Sequence, residues 1–195
     1  EDISGSVRVR ARGEFPLRVT GLRQGGTFEL WRTQAEFRKV FQTLKILNFF
    51  GSVQLEDIGD TLEADITNDS GPIRLILTDE IQPDVQASVF FGSLKSDIPL
   101  NPTTQGDLIS GRSMNLESNR RIFLSTTFGD IEIVRKNNDG TSATPQMSLA
   151  GDSMESSLAE MEATIAEGSA VYIESDHANI RVVGIDEDVV RVRGT

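Results

Sequence analysis

A five-residue unit recurs through this chain: a glycine, any residue, an apolar residue, a polar one, then a second apolar one. It reads Gly51-Ser52-Val53-Gln54-Leu55, Gly71-Pro72-Ile73-Arg74-Leu75 and Gly129-Asp130-Ile131-Glu132-Ile133. Earlier copies are Gly5-Ser6-Val7-Arg8-Val9 and Gly26-Thr27-Phe28-Glu29-Leu30. Gly92-Ser93-Leu94-Lys95-Ser96 is a weaker copy, and Ala178-Asn179-Ile180-Arg181-Val182 lacks the glycine. The first five glycines stand 21, 25, 20 and 21 residues apart. A period near twenty residues is the mark of stacked supersecondary units, each too small to bury its apolar face alone.

Within each unit the apolar positions alternate with polar ones. Period two describes a strand with one dry face and one wet face. The leading glycine suits a turn that needs positive φ or a close backbone approach. Further alternating runs follow: Phe15, Leu17 and Val19; Leu62, Ala64 and Ile66; Val85, Ala87 and Val89. Asp57-Ile58-Gly59-Asp60, Gln82-Pro83-Asp84 and Thr67-Asn68-Asp69-Ser70-Gly71 supply corner chemistry between them. The expected fold is all-β: a single-stranded β-solenoid (β-helix) with coils of ~20 residues and one or two short helical insertions. Val53, Ile73 and Leu94 should then share one stack. The polar middle position would line up Arg8, Glu29, Gln54, Arg74 and Lys95, where Arg8 beside Glu29 attracts and Arg74 beside Lys95 repels. The period alone offers no reason for that repulsive pair.

Three stretches depart from the period. In Thr33–Asn48, Phe37, Val40, Phe41 and Leu44 have helical spacing, so the stretch reads as a helix or as a lengthened second strand, with the helix favoured. Pro99–Arg121, with Pro102, Gly106 and Gly111, reads as a wider coil or projecting loop. Asn137–Gly168 starts as loop, then places Met154, Leu158, Met161 and Ile165 at helical spacing among five acids, which reads as a short acidic helix. The organisation expected is a solenoid over 1–136, a loop plus acidic helix over 137–168, and C-terminal strands over 169–195 that pack on the solenoid. The Phe37–Leu44 and Met154–Ile165 stretches would cap its ends.

The run Ala87-Ser88-Val89-Phe90-Phe91-Gly92-Ser93-Leu94-Lys95-Ser96-Asp97-Ile98-Pro99-Leu100 resembles a segment of the bacterial putative-adhesin β-helix family. So does Ile122-Phe123-Leu124-Ser125-Thr126-Thr127-Phe128-Gly129-Asp130-Ile131-Glu132-Ile133, which is similar to that family's closing strand pair. The resemblance spans residues 48–136 and weakens at Gly111-Arg112-Ser113-Met114-Asn115. It implies a solenoid fold and a non-enzymatic, envelope-associated bacterial role, and it brings no catalytic residues.

Charge and composition narrow the function. A net charge of −11 over 195 residues repels a phosphate backbone, which disfavours nucleic acid. The sequence holds no cysteine, which rules out disulfides and thiolate metal sites. No apolar run approaches the ~18 residues of a spanning helix, so membrane insertion by this chain is not expected.

The single histidine, His177, sits in Glu174-Ser175-Asp176-His177 with no nucleophile elbow to serve, and reads as a turn residue. No phosphate-cradling glycine motif is present. Acid pairs on neighbouring coils would suit polysaccharide hydrolysis. One register, however, reads Glu56, Ile76, Asp97 and Val134, and another Ser52, Pro72, Ser93 and Asp130; neither is a column of acids. Asn137-Asn138-Asp139-Gly140 and Asp186-Glu187-Asp188 fall short of a calcium loop. No catalytic residue, cofactor or metal is therefore assigned. The expectation is a non-enzymatic structural or binding module of the bacterial envelope (periplasm or cell surface). It would contact protein or glycan, or associate with itself through its ends. The alternatives are a polysaccharide-acting enzyme on the same scaffold and a cytoplasmic assembly scaffold.

Overall fold

The computed structural model describes residues 6–14, 16–78, 82–113, 115 and 118–136, together with the backbone of 159–164, 170–175, 180–186 and 189–194. The fold is all-β, with no helix among the described residues. The chain begins with β1 (Ser6–Arg12), β2 (Pro16–Leu22), β3 (Gly26–Trp31), β4 (Gln34–Val40), β5 (Thr43–Phe50) and β6 (Val53–Ile58). It continues through β7 (Glu63–Ser70), β8 (Ile73–Thr78), β9 (Asp84–Phe91), β10 (Leu94–Ser96), β11 (Asn101–Gln105) and β12 (Leu108–Arg112). It ends with β13 (Arg121–Phe128), β14 (Ile131–Lys136), β15 (Ala159–Thr164), β16 (Ala170–Ser175), β17 (Ile180–Asp186) and β18 (Val189–Gly194).

These strands form two nine-stranded sheets, and successive strands from β1 to β10 go alternately to one and the other. The first sheet runs β11-β12-β9-β13-β7-β5-β3-β1-β16, the second β10-β14-β8-β6-β4-β2-β17-β18-β15. Pairing is parallel except at one end of each sheet, where β11-β12-β9 and β15-β18-β17 are antiparallel. In the first sheet Val9, Phe28, Ile46, Ile66, Leu124 and Ala87 register in one column. In the second, Leu17, Ala35, Val53, Ile73, Ile131 and Leu94 do so. Both columns contribute to a single core, and Phe28 meets Phe37 across the two sheets edge to face at 4.8 Å. Burying each such side chain contributes about 1.5–3 kcal/mol, enough to hold the two faces together.

Val53, Ile73 and Leu94 do share a column, but Ile131 stands between the last two. The chain leaves β8, skips one position to form β9 and β10, turns through the β11–β12 hairpin, then fills the gap with β13 and β14. This resolves the repulsive pair: Glu132 lies in register between Arg74 and Lys95. Its Oε2 is 3.1 Å from Arg74 Nε. Like charges that are neighbours in sequence order are separated in space by an acid from 37 residues beyond Lys95.

The single glycine register also needs correction. Gly26 opens β3 in the first sheet and pairs with Val7, whereas Gly51, Gly71, Gly92 and Gly129 precede strands of the second. The odd 25-residue interval marks a change from one corner of the molecule to the other. Arg8 pairs with Thr27, and it is Arg10 that pairs with Glu29, at 2.8 Å.

Thr33–Asn48 is not helical. It forms most of β4 and β5, in the middle of both sheets, and caps neither end. Its helical spacing has a local cause. Lys39 adopts φ 55°, which interrupts the alternation so that Phe37 and Val40 both face the core three residues apart. The acidic helix expected over Met154–Ile165 is also corrected where its span is described, since 159–164 is strand β15; residues 154–158 lie outside the described residues.

Candidate binding ridge

One corner joins each strand of the first sheet to the next strand of the second, and it is built by close approach. A Cβ on Gly71 would lie 1.8 Å from the Gly51 carbonyl oxygen. The same test gives 2.2 Å from Gly129 to Gly71 O, 1.9 Å from Gly92 to Gly129 O, and 2.2 Å from Gly51 to Thr33 O. Each layer therefore points a carbonyl into the space a side chain would need in the next. Buried polar side chains complete the contact. Asn48 Nδ2 donates to Thr33 O at 3.2 Å, Asn68 Nδ2 to Gly51 O at 3.0 Å, and Thr126 Oγ1 to Gly71 O at 3.3 Å. Asn48, Asn68 and Thr126 occupy one register, so the apolar column is replaced here by a column of donors. Unmade hydrogen bonds at buried carbonyls would otherwise be costly.

The residues just before this corner are aromatic and exposed. Trp31, Phe50, Phe90, Phe91 and Phe128 keep between 39% and 54% of their surface. Phe50, Ser70, Phe128 and Phe91 share one register, so the side chains follow one another along the stack. Ser70 divides them into two pads. One holds Trp31 with Phe49 at 4.7 Å and Phe50 at 5.7 Å. The other holds Phe128 and Phe91, stacked at 5.2 Å and 8°, with Phe90 edge-on to Phe91 at 4.5 Å. Stacking covers one face of Phe91 and one face of Phe128 against each other. A row of exposed rings at one corner exceeds the scattered apolar residues normal on a protein surface.

Several ion pairs lie on the outer side of the second sheet. There Glu36 contacts Arg18 at 3.3 Å and Arg38 at 2.6 Å. Buried Glu56 contacts Arg38 at 3.2 Å and Lys136 at 2.8 Å. The bond to Glu56 holds the Lys136 ammonium above its ordinary pKa. Buried Arg74 is close to Glu132 but poorly aligned, so its Nε and Nη2 make no hydrogen bond among the described residues. Beside the second aromatic pad, Asp130 Oδ1 accepts bonds from the Ser93 side chain and backbone N–H, both at 2.7 Å, which lower its pKa.

The acids singled out by register do not converge. Glu56 pairs with Ile76, and Ile76 with Val134; Asp97 Oδ2 accepts the Arg135 N–H. Among the described residues no three His, Asp or Glu side chains could hold a metal. His177, Asn137–Gly140, Glu187 and Asp188 lie outside the described residues. The ridge escaped the sequence reading although its signal was present: Phe50-Gly51, Phe91-Gly92 and Phe128-Gly129 place an aromatic before three of the four glycines of this corner, Ser70-Gly71 being the exception. No helix of the described residues is long and apolar enough to cross a membrane.

No known family profile matches the chain, and no curated protein matches it. The adhesin-type likeness of residues 48–136 thus stays a resemblance. Among solved structures, the chain is similar to one described as "a putative cell adhesion protein from Clostridium sporogenes ATCC 15579". The identity is 11%, the TM-score 0.46, and the match covers 70% of this chain and 93% of that one.

Proposed function

We propose that this chain is a flattened, two-sided β-solenoid that serves as a non-enzymatic binding scaffold of the bacterial envelope, with the aromatic ridge as its contact surface. The single observation behind this reading is the pair of exposed aromatic pads carried on a corner that backbone contacts hold rigid. The alternation of strands between two sheets, in register columns 18 to 20 residues apart such as Ala35, Val53 and Ile73, supports the solenoid description. The resemblance of residues 48–136 to the adhesin-type β-helix family supports an extracytoplasmic scaffold. Phe91 and Phe128 each have one face covered by the other, which favours apolar side chains of a protein partner over the face-on stacking that sugars need.

The test compares the protein with a Phe91→Ser/Phe128→Ser double variant in co-sedimentation with isolated bacterial sacculi and with solubilised envelope proteins. Loss of protein capture in the variant, with an unchanged melting curve, is expected. Equal capture by both would sink the ridge, and release of reducing ends from acidic or neutral glycans would overturn the non-enzymatic reading.

A further inference from the structure

The two ends of the molecule are not alike. Both sheets have nine strands, yet they are offset. At one end the first sheet runs two strands further, β12 and β11, than the layer of β9 and β10. At the other end the second sheet runs two strands further, β18 and β15, than the layer of β16 and β17. The first overhang is closed by its own chain. Ile98 is buried, Leu94 and Leu100 pack on the core, and a Cβ on Gly111 would lie 3.1–3.2 Å from Leu94 and Leu100. Its outermost strand, β11, is fully exposed, polar and carries Pro102, and β10 has only three residues. Short, polar, proline-bearing edges resist strand addition.

Among the described residues the second overhang has neither a proline nor a three-residue edge strand. Its two strands are six residues each, as is β16, the open edge of the opposite sheet. Met161 registers with Val192, and Ala163 with Val190. Val192 registers in turn with Val182, and Val182 with buried Val19. An apolar register thus runs out of the core along the overhang. The alternate positions pair Glu160 with Arg193 and Glu162 with Arg191. Among the described residues no strand of the first sheet stands opposite β18 or β15.

We infer that this end is an interface with a second copy of the chain, joined about a two-fold axis parallel to the strands. Such an axis exchanges the two sheet planes, so each copy's two-strand overhang continues the plane in which the other copy's described strands stop at β16. It sets β15 beside β16 of the second copy, twice over. It also keeps strand directions. β15 is antiparallel to β18, and β18 to β17, so β15 runs with the parallel strands of its sheet, as β16 does in the other. Because the chain reverses direction at each corner between the sheets, β15 and β16 run oppositely, so both new pairs are antiparallel, six residues against six. Closed two-fold pairing is also the commonest outcome for a self-complementary surface. This inference does not depend on the aromatic ridge, which lies along a corner rather than at an end.

Sedimentation equilibrium of the whole chain from about 1 to about 100 μM tests it, a range suited to a small interface. Twice the mass of one chain at the upper end is expected, with a melting temperature that rises with concentration. Met161→Lys should return the mass to one chain and abolish the concentration dependence while leaving the dilute melting curve in place. Thr103→Lys, at the opposite end, should leave the dimer intact. A single-chain mass throughout overturns the inference. So do masses growing beyond two chains, which would mean open head-to-tail addition, or a dimer lost through Thr103→Lys. If Met161→Lys unfolds, Glu162→Arg, which sets like charges across β15 and β18, should weaken the dimer instead, and an undiminished dimer in either folded variant counts against the inference.

Discussion

The chain turns between its sheets at two corners, and the two differ in how regularly close contact demands glycine. At the corner before β6, β8, β10 and β14, stacked carbonyls occupy the space where a Cβ would sit, so glycine is required by contact. Positive φ is not the common factor there. Gly51 and Gly71 have φ of 108° and 128°, whereas Gly92 and Gly129 lie outside that region and are just as crowded. Near the opposite corner, β2, β4 and β6 each kink through one left-handed residue: Gly21 at 78°, Lys39 at 55° and Asp57 at 54°. Only the first is glycine. A left-handed kink costs about 1–2 kcal/mol in a residue with a Cβ, which the packed core can absorb, whereas a carbonyl at 1.8 Å leaves no space to relax into. Crowded glycines also occur at the opposite corner, at Gly25 (a Cβ would lie 2.1 Å from Thr43 O) and Gly59 (2.4 Å from a Phe41 ring carbon), but only the first corner repeats them layer after layer, so only it writes a regular period into the sequence.

The largest test of that contrast is Gly71→Ala. It should cost about 3–5 kcal/mol in urea unfolding, since both atoms in conflict belong to stacked backbone. A loss under 1 kcal/mol would show that the layers can slide apart and would erase the distinction between the corners.

Next is Asn68→Ala, which removes the donor to Gly51 O and leaves that carbonyl unpaired at the same corner. A loss of about 1–3 kcal/mol is expected, while Asn68→Ser, offering a shorter donor, should recover only part of it. Equal melting temperatures for all three proteins would reduce the Asn column to filler.

At the opposite corner the sign reverses. Lys39→Gly relieves a left-handed side-chain residue and should stabilise by about 0.5–1 kcal/mol, after the extra flexibility of glycine in the unfolded chain is offset. Destabilisation on this substitution would mean that Lys39 contributes something besides its backbone angle.

The smallest effect is pH-dependent. Bonds from Ser93 hold Asp130 below the ordinary carboxylate pKa of about 4. A depressed folded-state pKa stabilises above the ordinary value, and the contribution is lost as pH falls through the folded one. Asp130→Asn should therefore lower the urea midpoint slightly at neutral pH, and the gap to the unaltered protein should close on acidification well below pH 4. A gap that persists unchanged in acid would assign the effect to geometry rather than charge.

The all-β character, the alternation, and the columns through Val53, Ile73 and Leu94 were legible because strand burial has period two and the corner glycines cannot be replaced. Thr33–Asn48 was misread because a single left-handed residue, Lys39, gave two strands the spacing of a helix. The aromatic ridge was overlooked because an aromatic before a glycine is ordinary in any one copy. Only register shows that Phe50, Phe128 and Phe91 stand in line.

Residue order alone determined that this chain makes repeating strands with one dry face, since alternation and crowded corners are local demands. It did not determine the order in which the strands stack. Placing β13 and β14 between strands that come earlier in the chain puts Glu132 between Arg74 and Lys95 and matches apolar faces far apart in sequence. Parallel pairing accepts any strand of the right length and face, so the choice among them falls to packing and charge across the assembled sheets.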